Sequence, residues 1–416
     1  MASAKVLNEL SQMAAQGSSL QSYQSLLQTI QADSTNLAAN LNAVIASVFS
    51  QNLSVVSTRD VINACLSTLK SDTSDPDVRL AVAREALEHL TQHASSYPDQ
   101  MSALLDLCAV CHEANEDFHA AAESLALIPL DTTQRKVDNA DRARIWIRIV
   151  RDYLEEDESE NAEPYLNKLK NVMHTVSDPT LSLHFNLSQA RINDAKREFY
   201  AAASRYHDIS FSTAIAEEER LHTLAMAVKC AVLAPAGPSR SRMLGRLYKD
   251  ERACQLDEFG ILEKMFLDRL LNKDEVDAFA QGLQRHQLAT TADGSTVLAK
   301  AVVDHNLLAA SRLYSNIGFD ELGVLLGLSG DKAEEATAKM IEQGRLLGRM
   351  DQIDQRIWFE SGDASGQGGS GRTEVAFGKE TRRWAANAQG ASEEVENITN
   401  ALQKQFPDFV EVNLVM

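Results

Sequence analysis

Apolar residues return every three or four positions through nearly all of residues 1–255, a spacing that predicts one helix after another and no half-buried strands. Helices are expected to begin about every twenty residues and to pair into units of roughly forty. Three units align. Ala121-Ala122 with Leu125, Ala162 with Leu166, and Ala202-Ala203 with Tyr206 recur at intervals of 41 and 40 residues, each after a short charged or polar loop. Small side chains at one fixed point let two helices approach closely, and the large residue a turn later fills the groove between neighbours. The period exceeds the roughly 34 residues of a tetratricopeptide repeat. The expectation is therefore a mainly α, TPR/HEAT-like helical-repeat solenoid whose helix pairs bury their faces only by stacking. Pro76, Pro98, Pro129, Pro179 and the Pro235/Pro238 pair fall between the periodic segments, and Pro164 is expected in a first helical turn.

The pattern changes after residue 255. Of 19 glycines only Gly17, Gly237 and Gly245 precede that point, so turn and linker chemistry is concentrated in the C-terminal part. Ser311 to Glu360 reads as a helix-turn-helix followed by a two-stranded wing. Phe319, Leu322, Leu325 and Leu326 carry one helix, with Gly327 placed to close it in a left-handed conformation and Ser329 to cap the next. That next helix, Asp331 to Gln343, keeps Ala333, Ala336, Met340 and Ile341 on one stripe and stops at Gly344. Leu346 to Gln352 and Arg356 to Glu360 are strand-like runs flanking the polar turn Ile353-Asp354-Gln355.

Ser361 to Gly371, with five Gly and three Ser in eleven residues, reads as a flexible linker. Beyond it, Trp384, Ala388, Ala391, Val395, Ile398 and Leu402 are spaced four, three, four, three, four, which is a heptad seam. Gly390 weakens that helix by about 1 kcal/mol. A stripe of this kind needs a cover. The expectation is a bundle formed with other chains, and the alternative is a helix folded back on its own solenoid. The predicted layout is residues 1–200 as a helical-repeat arm, 201–360 as a second domain (helical 201–300, winged helix 301–360), 361–379 as linker and 380–410 as the bundle helix.

Composition narrows the function classes. The chain has 416 residues, 44% of them hydrophobic, enough for two or three packed units. Its net charge of −19 argues against nucleic acid as the main partner. The helix that would enter a DNA groove carries Asp331, Glu334, Glu335 and Glu342 against Lys332 and Lys339, and residues 305–360 hold nine acids against six Lys or Arg. A phosphate backbone would be repelled. Five cysteines in apolar helical stretches, no signal-peptide layout and no run of about 18 apolar residues lead to the expectation of a nuclear or cytosolic protein.

Motifs that suggest chemistry do not hold their context. Gly366 to Gly371 satisfies G-x-G-x-x-G but lies in a low-complexity tract rather than between a strand and a helix, so no cofactor is expected. Cys108 and Cys111 share an apolar helix face with Leu104 and Leu107 and have no second pair at zinc spacing. His89 and His93 stand a turn apart without a third ligand, so no metal is expected. Arg144, Arg148 and Arg151 read as a solvated helix face ahead of the acidic loop Glu155 to Glu158, with an acidic partner as the other reading. No catalytic constellation is evident.

Helical repeats running into a winged helix and then a C-terminal helix follow the order of the PCI domain, found in the proteasome lid, the signalosome and initiation factor three. Gly237–Arg252 (GPSRSRMLGRLYKDER), Leu288–Ser295 (LATTADGS) and Asp304–Tyr314 (DHNLLAASRLY) closely resemble the subunit-four family of the COP-nine signalosome. Gly260–Arg269 and Ile128-Pro-Leu-Asp131 fit the same family, and the likeness covers roughly residues 100–360 and, more weakly, the ends. The resemblance implies a non-catalytic scaffold in the complex that removes a ubiquitin-like modifier from cullins. The chemistry would belong to a sibling with a zinc-dependent MPN fold. It further implies contacts with other PCI subunits through an edge of the winged helix, for which Arg356, Ile357, Trp358 and Phe359 are the candidates, and through the C-terminal seam. The N-terminal arm would meet cullin-RING ligases and the metalloprotease pair. A proteasome-lid subunit is the alternative in the same class, and a winged-helix DNA-binding regulator the alternative from another.

Overall fold

The computed structural model describes residues 3–16, 20–32, 37–50, 54–71, 75–92, 96–130, 137–290, 294–359 and 372–407. Its contacts divide the chain into two units, Met1–Ala231 with Gln284–Gln287, and Val232–Leu283 with Leu288–Met416.

The first unit is built of α1 (Ala4–Gln16), α2 (Leu20–Ala32), α3 (Leu37–Ser50), α4 (Val55–Ser71), α5 (Pro76–Thr91), α6 (Pro98–Ala114), α7 (Phe118–Ala126), α8 (Asn139–Glu155), α9 (Ser159–Val172), α10 (Pro179–Ala195), α11 (Phe199–Ser210) and most of α12 (Glu217–Leu233). From α6 to α11 a helix starts every 20 or 21 residues. One turn, used three times, sets this cadence. After α6, α8 and α10 the chain passes through a left-handed residue, Glu116, Asp157 and Arg197, at φ 60°, 60° and 64°. At each, the following amide reaches back five residues (Asp117 N to His112 O at 3.0 Å, Glu158 N to Tyr153 O at 2.9 Å, Glu198 N to Asn193 O at 2.8 Å). These are Schellman closures, and each leaves only three residues between one helix and the next. Ala121, Ala122, Ala162, Ala202 and Ala203 then fall where the helices touch, all with no accessible surface, with Leu125, Leu166 and Tyr206 buried beside them.

Polar links join residues about one repeat apart. Arg148 binds Asp106 at 2.6 Å and Glu113 at 2.5 Å, and Arg191 donates to Glu155 at 2.8 Å and to the Leu154 carbonyl at 2.7 Å. Arg148 is therefore half-buried between α8 and α6 rather than on a solvated face, which corrects the reading at that position, while Arg144 and Arg151 are exposed. Pro164 is also displaced. It is the sixth residue of α9, because the Asp157 turn starts the helix at Ser159, and the helix loses one backbone bond there. The first unit continues past the expected boundary at residue 200, since α11 completes the α10 pair and Tyr206 packs into that core.

The second unit holds α13 (Pro238–Tyr248), α14 (Phe259–Phe266), α15 (Lys273–Gln281), α16 (Val297–Leu313), β1 (Asn316–Gly318), α17 (Phe319–Leu326), α18 (Gly330–Glu342), β2 (Gly348–Asp351), β3 (Arg356–Phe359) and α19 (Arg372–Gln405). Three consecutive residues of α16 hold two other segments. Asp304 binds Arg345 ahead of the wing, His305 Nε2 meets the Arg269 carbonyl at 2.9 Å, and Asn306 exchanges two bonds with the Leu271 backbone at 2.9 and 3.2 Å. Burial pushes the His305 imidazole down to about 4, so it is neutral at pH 7. Arg240 of α13 is buried near Asp304 and Asp268 and makes a long contact to Met265 Sδ at 3.7 Å.

Gly327 and Gly344 close α17 and α18 at φ 70° and 68°, as the glycine pattern predicts. Ser329 occupies the N-cap position of α18, although its side chain makes no capping bond. Of the predicted linker, residues 372–379 belong to α19 instead, while 360–371 lie outside the described residues and with them the glycine motif.

Candidate interaction surfaces

The winged helix is assembled around a small core of Leu307, Ala310, Phe319, Leu322, Ala333, Met340, Leu346, Ile357 and Phe359. Its sheet has three strands in the order β1-β3-β2, both pairs antiparallel, with Trp358 opposite Asn316 on one side and Arg349 on the other. This overturns the expectation that Arg356–Glu360 offers a free edge. β3 is the central strand, Ile357 and Phe359 point into the core, and only Arg356 is exposed. The free edges are β1 and β2. Trp358 is half-buried, with the Arg349 guanidinium 5.3 Å from its ring.

α18 buries Ala333, Thr337 and Met340 and turns Asp331, Lys332, Glu335, Lys339 and Glu342 outward. Glu335 pairs with Lys339 at 2.9 Å, and Gln352 of the wing turn donates to Glu334 at 2.6 Å. One of the two lysines is thus spent on a neighbouring carboxylate, and the outward face keeps its acidic balance.

α19 presents the heptad seam to solvent. Trp384 is 71% exposed, Val395 63% and Ile398 60%, Ala388 and Ala391 are exposed, and Leu402 is half-buried. Among the described residues, none covers the large side chains of the seam. A row of large apolar side chains left in water at helical spacing is the signature of a surface awaiting a partner.

Several groups that could carry reactions are held in packing roles. Cys108 and Cys111 are buried in α6, and burial raises both thiols, Cys108 to about 11. His112 beside them is buried, with the Asp117 carboxylate at 3.6 Å and the Arg84 guanidinium at 3.4 Å. His89 stacks on Phe49 at 5.7 Å, and His93 lies outside the described residues. A Cys-His-Asp grouping that no sequence motif announces forms around Asp194. This carboxylate accepts two bonds from Gln287 at 2.9 and 3.1 Å and has His286 Nε2 at 3.2 Å. Cys230 lies against it, but its thiol is driven well above its ordinary value by burial first and then by the Asp194 carboxylate. A thiol that gives its hydrogen bond to a carboxylate is the opposite of an activated nucleophile. Residues 194, 230 and 286 are far apart in sequence, so no local spacing could have signalled the group.

Stacked helix pairs, a three-stranded winged helix and a long C-terminal helix with an open seam define a helical-repeat PCI protein. The profile of the PCI domain matches residues 263–361, and that of "PSMD12/CSN4, N-terminal" matches residues 2–218. The chain is 55% identical over 397 residues to COP9 signalosome complex subunit 4 of Neurospora crassa, covering 91% of this chain and 90% of that protein. It is 46% identical over 410 residues to the protein of the same name from Emericella nidulans (96% and 97% covered) and 36% identical over 406 residues to that of Dictyostelium discoideum (98% and 98%). The chain belongs to the COP9 signalosome subunit 4 family.

Proposed function

We propose that the chain is a non-catalytic scaffold subunit of a signalosome that removes a ubiquitin-like modifier from cullin-RING ligases. The observation that carries this reading is the open apolar seam of α19, on a chain whose thiols at Cys108 and Cys230 are buried and raised. The family supports it. In this reading α19 enters a helical bundle with other PCI subunits, and an edge of the winged-helix sheet, β1 or β2, adds to a neighbour's sheet. The helical-repeat unit contacts the ligase and the MPN-fold metalloprotease, where the bond is broken. Its place is the nucleus and cytoplasm.

Affinity capture of the tagged full chain from native extract, with partners identified by mass spectrometry, tests the proposal. The expected result is recovery of signalosome subunits by the wild type and their loss from a Trp384→Asp, Ile398→Asp variant whose own thermal unfolding is unchanged. Recovery of proteasome-lid subunits instead, equal recovery by the variant, or cleavage of a cullin conjugate by the isolated chain would refute it.

A further inference from the structure

We propose that His119, Glu156 and Glu158 form a binding site for one zinc-class dication, linking α7 to the turn between α8 and α9. One ligand atom from each residue lies within 4.8 Å of the others, close enough to share a single ion. His119 Nδ1 stands 3.0 Å from Glu158 Oε2. On the other side of the ring, His119 Nε2 is 3.3 Å from Glu123 Oε1, one helical turn along α7. A neutral imidazole has a single N–H, so one of these two contacts sets a lone pair against a carboxylate, and a proton or a metal ion between them makes it attractive.

Each glutamate is also positioned by a hydrogen bond. The backbone amide of His119 donates to Glu156 Oε1 at 3.0 Å, leaving that carboxylate's other oxygen free for an ion. Asn161 Nδ2 donates to Glu158 Oε2 at 2.8 Å. In the tautomer that donates Nε2–H to Glu123, the Nδ1 lone pair faces the two carboxylates, the carboxylate-histidine-metal arrangement that orients ligands in metal centres. The left-handed Asp157 between the two glutamates brings both to the His119 end of the neighbouring helix pair. One imidazole with two carboxylates leaves a position for water and suits zinc, cobalt or nickel over calcium or magnesium, which require more oxygen ligands.

Calorimetric titration of the full chain with zinc chloride tests this, with cobalt chloride as an optical probe. The expected result is one ion per chain, affinity at least tenfold weaker in both H119Q and E158Q, and a cobalt d–d band present in the wild type and absent from H119Q. E123Q is expected to lose about tenfold through orientation alone. Zinc should raise the thermal midpoint of the wild type and not that of H119Q, while metal-free circular dichroism matches in all variants. Equal zinc affinity in wild type and H119Q, abolition by C254S at the exposed thiol, or calcium binding as tight as zinc would overturn the assignment, as would no saturable binding up to about 100 μM, a concentration corresponding to only ~5 kcal/mol.

Discussion

Glycine at the three repeated left-handed turns should make the first unit more stable. Glu116, Asp157 and Arg197 adopt φ of 60° to 64°, where a Cβ crowds the following carbonyl at a cost of about 1–2 kcal/mol. Glycine removes that crowding but gives the unfolded chain more freedom, which takes back about 0.4–1 kcal/mol. The net gain is about 0.5–1 kcal/mol per site, larger for Glu116→Gly and Arg197→Gly than for Asp157→Gly, because aspartate tolerates this region better than most residues. The three turns lie one repeat apart, so the triple variant should gain about 1.5–3 kcal/mol. Urea unfolding followed by Trp146, which is buried in α8, in a background with Trp358 and Trp384 replaced by Phe, isolates the first unit. The midpoint should rise with the slope unchanged. Alanine at the same positions is the control, since it keeps the Cβ and should stay within about 0.5 kcal/mol of the wild type. A gain from alanine equal to that from glycine would place the effect in the side chains and refute the backbone account.

Asp152 is pushed up to about 7, by burial first and then by Glu113. Its folded pKa lies above the unfolded value, so its stabilising protonation is complete below pH 4 and lost as pH rises to 7, and Asp152→Asn should raise stability at pH 8 by up to about 4 kcal/mol with little change at pH 4. His305, held down to about 4 by burial, acts with the opposite sign. The unfolded chain takes up a proton near pH 6.5 that the folded unit refuses, so stability of the second unit, read by Trp358 fluorescence, should fall by up to about 3 kcal/mol between pH 6.5 and 4 and fall less in His305→Asn. Gly323 of α17 faces backbone, where a Cβ would lie 2.8 Å from the Leu328 carbonyl and 3.1 Å from the Gly330 amide, so Gly323→Ala should cost the winged helix about 1–3 kcal/mol in chemical unfolding.

The elements legible from sequence were those with a period. The alanine positions at 41- and 40-residue intervals lie at helix contacts, and Gly327 and Gly344 end their helices in the expected conformation, because small size and φ freedom are properties of single residues. What the sequence hid depends on partners distant in the chain. β1 has three residues, too few for alternation to register, and its pairing with β3 moved Arg356–Phe359 from the edge of the sheet to its centre. Arg148 looked like part of an exposed stripe because Asp106 and Glu113, which bind it, are 42 and 35 residues away. Pro164 was misplaced by a turn whose left-handed residue is an aspartate rather than the glycine that usually marks it.

The surface most relevant to assembly lies between these cases. The seam from Trp384 to Leu402 was legible as a pattern, and the structure leaves its large residues in water. Burying one Val- or Ile-sized side chain fully is worth about 1.5–3 kcal/mol and a Trp more, so covering what is now exposed supplies several kcal/mol that the isolated chain does not have. That energy can go only to something that covers the helix. The thiols of Cys108 and Cys230 have the opposite arrangement, sealed in the core with their pKa raised, so this chain has driving force for association where α19 is exposed and unactivated thiols at these two buried positions. Such a division is what a subunit needs if it positions a reaction carried out by a neighbour.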